Sequence, residues 1–153
     1  MSVLIQGSQI RQISLGTKVD RATATLPQTT QGALFTVTGG RVLLTSLVGE
    51  VTTAIQNQAC NVKVTSNPTT GTDVDIAANL NVQADEVGCL YGITGLFSDA
   101  LVGANAGAGV VPRNPVVLPV GTLDLVTSAS NTGSVKWSLT YVPLDDGASV
   151  AAA

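Results

Sequence analysis

With 153 residues, 44% of them hydrophobic and only 11% charged, the chain fits one domain with a real core, and its charge content lies well below the roughly 25% of an ordinary soluble domain. At a net charge of −3 the chain as a whole carries no electrostatic footprint for nucleic acid, whose recognition demands clustered Lys and Arg, and the few rings, Phe35, Phe97, Tyr91, Tyr141 and Trp137, leave little from which to build a sugar- or base-stacking platform. The polar surface is instead rich in Thr, Ser, Asn and Gln, which can be buried once hydrogen-bonded without the cost of desolvating a charge, so the composition reads as a subunit of an assembly.

Residues 1–30 (MSVLIQGSQIRQISLGTKVDRATATLPQTT) alternate single apolar residues with polar ones, the pattern of a strand lying on a surface. They are expected to form an extended N-terminal arm ending near Pro27. The first 21 residues hold three basic groups (Arg11, Lys18, Arg21) against one acid (Asp20), a balance of +2, while the rest hold four basic and nine acidic groups, a balance of −5. This asymmetry fits a polar tail solvated by its charges, or an arm that docks on an acidic neighbour. For the second reading the candidate contacts are Ile10, Arg11, Ile13, Leu15, Lys18, Val19 and Arg21. Met1 to Ile13 has neither the basic start nor the apolar stretch of a signal peptide, and no run reaches the 18 apolar residues of a membrane span, so synthesis in a cytosol and no membrane contact are expected.

From Gly32 the β signals strengthen. Ala33 to Thr38 (ALFTVT) and Arg41 to Val48 (RVLLTSLV) flank Gly39-Gly40, which predicts a hairpin closed by a two-residue glycine turn. Val51 to Gln58 suits a continued strand or a helical turn, its Val, Thr and Ile favouring strand. Asn61 to Ser66 alternates cleanly, with Val62 and Val64 on one face, and Asn67 to Gly71 makes a turn. Asp73 to Ile76 and Leu80 to Val82 read as two short strands.

Glu86 to Phe97 is apolar but broken by Gly88, Gly92 and Gly95, which mark bulges or close backbone approaches. Ser98 to Val102 suits a single helical turn, and Gly103 to Gly109 (GANAGAG) is expected to be a loop, mobile or pressed against a neighbour. Its candidate interface residues are Gly103, Asn105, Gly107 and Gly109. Val116 to Val120, between Pro115 and Pro119, reads as an edge. Leu123 to Ser128 leads through Asn131-Thr132-Gly133 into Val135 to Val142, a second hairpin with Val135, Trp137, Leu139 and Tyr141 on one face and Trp137 as its largest buried body. Eight or nine short strands of this kind predict an all-β fold, a single β-sandwich or jelly-roll-like domain over residues 31–146, followed by a tail at 147–153.

The inventory for chemistry is thin. Histidine is absent, so Ser-His-Asp and Cys-His catalysis are impossible, and Cys60 and Cys89 alone cannot complete a zinc site. The two cysteines read as small buried hydrophobes, with a single bridge between neighbouring strands as the alternative. Asp73 with Asp75 at strand spacing offers a cation site or paired acids, or simply a solvated face; Asp85-Glu86 and Asp145-Asp146 are further acidic pairs. The glycines of the 103–109 loop lack the Lys and Ser/Thr of a phosphate cradle. No catalytic residue, metal, cofactor or small-molecule substrate is expected.

The stretches GALFTVTGGRVLLTSLVGEVTTAI (Gly32 to Ile55) and LPVGTLDLVTSASNTGSVKWSLTYVPLDDG (Leu118 to Gly147) resemble the Thr/Val-rich strands and glycine turns of small virion proteins of tailed bacteriophages. The resemblance implies a capsid decoration (cement) protein or similar minor structural protein. It implies a β-sandwich or barrel, a small homo-oligomer with a trimer favoured, and the major capsid protein as partner. The corresponding location is the virion, with synthesis in the host bacterial cytoplasm. No family motif falls on individual positions. A phage tail or spike domain, or an adhesin-like receptor-recognition module using its loops, is the alternative.

Overall fold

The computed structural model describes residues 4–28, 30–105 and 107–153. It is an all-β sandwich of two antiparallel sheets with one short helix. The first sheet runs β1 (Thr17–Asp20), β11 (Ser134–Pro143), β4 (Val42–Thr53), β7 (Leu90–Gly92), β8 (Val102–Ala104), with β2 (Ala24–Thr25) also on β11 and β9 (Val116–Leu118) also on β4. The second runs β12 (Ser149–Ala152), β3 (Gln31–Thr38), β10 (Gly121–Thr127), β5 (Asn61–Pro68), β6 (Val74–Asn81).

The core lies between the sheets, where the inward residues of each strand interdigitate: Leu44, Leu47, Trp137 and Leu139 from one side, Phe35, Val64, Ile76, Leu123 and Leu125 from the other. Trp137 is the largest fully buried side chain, as its alternation with Val135 and Leu139 predicts. Its indole lies over Gly49, its register partner on β4, where a Cβ would come within 2.9 Å of the ring.

Both predicted hairpins are overturned. Strands β3 and β4 belong to different sheets, and Gly39-Gly40 carries the chain across the sandwich between them. The Asn131 to Gly133 segment likewise passes from β10 in one sheet to β11 in the other. A glycine turn encodes a reversal but not a ladder partner. Here β4 is flanked by β11 on one side and β7 and β9 on the other, so β3 has no place beside it. Gly39 and Gly40 both have positive φ and lie against the 145–148 turn, where side chains at these positions would meet Gly147 and Asp145. Arg41 clamps that turn, its guanidinium donating to both carboxylate oxygens of Asp145 at 2.8 and 2.9 Å.

The extended arm is corrected in part. Gly7–Leu15 forms a helix, α1, and only Thr17–Asp20 and Ala24–Thr25 are strands, both paired with β11. Ile13 and Leu15 alternate, but Ile10 and Ile13 are three apart, which shares a face only in a helix, and the Gln9 side chain accepts a hydrogen bond from the Gln6 N–H at the helix start, a local contact that alternation does not reveal. The expected tail is corrected too, since Ser149–Ala152 is the outermost strand of the second sheet, paired with β3.

Asp73 to Val82 contains one strand, β6, in place of two; Val51 continues β4 to Thr53; and Ser98 to Val102 forms no helix. Val116–Leu118 pairs on one side only, with β4, as its prolines predict. Of the three 86–97 glycines, Gly92 and Gly95 make close approaches, where added side chains would strike the carbonyls of Val110 and Asn114, while Gly88 faces open space at a positive φ.

Candidate interaction surfaces

The N-terminal candidates fall on two elements. Ile10, Arg11, Ile13 and Leu15 are on α1, Lys18 and Val19 on β1, and Arg21 follows it. None of the nine α1 residues is buried, and Ile10 and Ile13, three apart on one face, are 54% and 78% exposed. A nine-residue helix is shorter than the ~12–15 residues that hold together alone in water, so its stability has to come from what it packs against. Its own sandwich supplies little. The Thr45 hydroxyl donates to the Leu15 carbonyl at the C-terminal end, and Gly16 turns the chain directly into β1.

Strand β1 is the end of its sheet, so only one of its edges is used, against β11. Lys18 pairs with Asp20 at 2.9 Å. Arg21 bonds through its backbone N–H to the Trp137 carbonyl, and its Nε is buried without a partner beside a cavity of about 250 Å³ lined by Leu26, Leu34, Leu125 and Trp137.

The glycine-rich loop is shorter than predicted. Gly103 lies in β8 against the Tyr91 ring, and the loop proper begins at Asn105. Asn105 lines a shallow pocket with Leu80, Asp85 and Cys89, while Gly107 and Gly109 are exposed. The loop offers no ring and no charge, and it is not brought together with the α1 candidates.

One member of each acidic pair, Asp75, Asp85 and Asp145, is held by hydrogen bonds within the fold, and both cysteines are buried. Asp73 is exposed; Asp75 accepts from Lys63 at 2.8 Å and from the Thr65 hydroxyl at 2.7 Å. The Lys63 ammonium holds the Asp75 carboxyl below the usual carboxylate range, against an opposing push from burial. Cys60 and Cys89 are buried free thiols. Burial, and then the charge of Asp85, pushes the Cys89 thiol up, which disfavours the reactive thiolate. Burial, then the hydrogen bond its hydroxyl donates to Asp85 at 2.6 Å, pushes Tyr91 far above its ordinary value. Among the described residues no three His, Cys, Asp or Glu side chains converge on a metal position, and no helix is long and apolar enough to cross a membrane.

A surface that periodicity did not reveal lies at the opposite edge, where β6 ends the second sheet and β9 borders β4 in the first. Val74, Phe97 and Val117 surround a groove of about 150 Å³. Leu96 and Val111 line a second groove of about 410 Å³ with Asp99 and Arg113. These residues come from β6, β9 and the two segments around residues 93–101 and 110–115, which no local pattern unites. The available signal was the apolar pair Leu96-Phe97 directly after Gly95.

Comparison of the chain with family models, with curated proteins and with solved structures finds no match.

Proposed function

We propose that the protein is a virion structural component that decorates and stabilises a capsid by binding major capsid subunits through α1 and β1. The observation that carries this reading is a short helix with no buried residue, set on the terminal strand of a rigid sandwich. Such a helix has more to gain from a partner than from its own fold. Docking that covers Ile10 and Ile13 contributes at most roughly 1.5–3 kcal/mol for each side chain taken fully out of water. The outer edge of β1 can add main-chain hydrogen bonds to a neighbouring strand. The low charge of the chain and the structural use of its acids support a role in packing over one in chemistry.

The test uses particles assembled without the protein. Full-length chain should bind them to saturation, and a chain lacking residues 1–16 should not, while retaining the near-ultraviolet circular dichroism of the buried Trp137 and the same melting temperature. Equal binding by the shortened chain would remove α1 from the contact. Failure of the full-length chain to bind would end the capsid reading.

A further inference from the structure

We propose that the edge around Phe97 is a self-association surface whose occupant is the same edge of a second copy, related by a twofold axis. The inference stands apart from the capsid reading, which concerns the opposite edge. Val74, Leu96, Phe97, Val111 and Val117 are each between 46% and 62% exposed, unusual company for one face of a monomer. Leu96 and Phe97 are adjacent and take part in different grooves, so each copy offers both a ridge and a hollow to receive one.

The backbone behind the ridge is already tied. Ala78 N–H bonds to the Asp99 carbonyl at 2.7 Å, Leu101 N–H to Ala78 at 3.1 Å, and Arg113 N–H to Thr94 at 2.8 Å. Little ordering entropy remains to be lost on contact.

Charge identifies the occupant. Asp99 and Arg113 line the same groove, and among the described residues neither is in an ion pair. A patch with one charge of each sign is self-complementary, because a twofold axis brings each Asp99 toward the other copy's Arg113, twice over. A partner of a single sign would satisfy one group and repel the other. The chain's own α1 is a poor occupant for that reason, since its only charge, Arg11, can satisfy Asp99 but repels Arg113. An isologous contact makes a dimer, in contrast to the trimer that the virion resemblance implies.

Light scattering coupled to size exclusion tests this on the full chain over a range of concentrations, with circular dichroism confirming that every variant is folded. The wild type should be a dimer, and Phe97→Asn and Val117→Asn should each weaken it roughly tenfold or more. Asp99→Lys and Arg113→Glu should each weaken self-association, and an equimolar mixture of these two reversed chains should regain the dimer, because the two like charges of one copy then match those of the other. A wild type that stays monomeric throughout, a dimer insensitive to Phe97→Asn, or a mixture that gains nothing would each overturn the proposal. Loss of the dimer on removing residues 1–16 would also overturn it, by making α1 the occupant.

Discussion

The two lateral edges of this sandwich carry most of its exposed apolar side chains and hold them differently. At one edge Ile10 and Ile13 ride on a helix that buries nothing of its own. At the other, Leu96 and Phe97 sit on a segment whose backbone is bonded to β6 and whose next large apolar residue, Leu101, is 1% exposed. The first edge is an appendage, separable from folding. The second is part of the fold, so its shape is set before any partner arrives.

That difference can be broken by substitution, beginning with the largest effect. Leu101→Ala should cost about 2–5 kcal/mol by leaving a cavity under the Phe97 edge, measured by denaturant unfolding, and should impair any association of that edge. Gly49→Ala should cost about 1–3 kcal/mol, because the added methyl meets the Trp137 ring with no flexible neighbour to yield; an unchanged midpoint would show that the sheet can shift to admit it. Thr94→Val removes the hydroxyl that donates to Asp99 at 2.7 Å and should cost about 0.5–1.5 kcal/mol. Ile13→Ser on the free helix should stay within about 0.5 kcal/mol of wild type, and a larger loss would mean that α1 is integral to the fold after all.

The smallest effect concerns pH. Asp75 and Asp145 have folded-state values lowered by Lys63 and Arg41 respectively, so their contribution is present above the unfolded carboxylate value of about 4 and is lost as pH falls through the lower folded values. With no histidine in the chain, the melting temperature should be flat between about pH 5 and 8 and decline only in acid. Arg41→Gln should flatten part of that acid decline. An intact decline would assign it to other carboxylates.

Strand content and the core face of β11 were legible because period-2 alternation is a local consequence of the pleat, and Val135, Trp137 and Leu139 need no knowledge of their partners to declare a buried face. The edge character of Val116–Leu118 was legible for the same kind of reason, since Pro115 and Pro119 lack an N–H wherever they stand. The Asn67 to Gly71 turn between β5 and β6 was also readable, because there the neighbours in sequence are neighbours in the sheet. At Gly39-Gly40 they are not. The α1 segment was hard to read because its few apolar residues split between two periods, Ile13 and Leu15 alternating while Ile10 and Ile13 keep a helical spacing.

By itself, then, the sequence determined an all-β chain with few groups for chemistry, a Trp-centred core and a polar, low-charge surface, all properties set by residue type and short-range period. Tertiary structure alone decided which strands pair, that residues 149–152 close the second sheet, and that Val74, Phe97 and Val117 share one edge. Those outcomes depend on which sheet buries each strand, a competition among segments far apart in the chain. No local pattern records it.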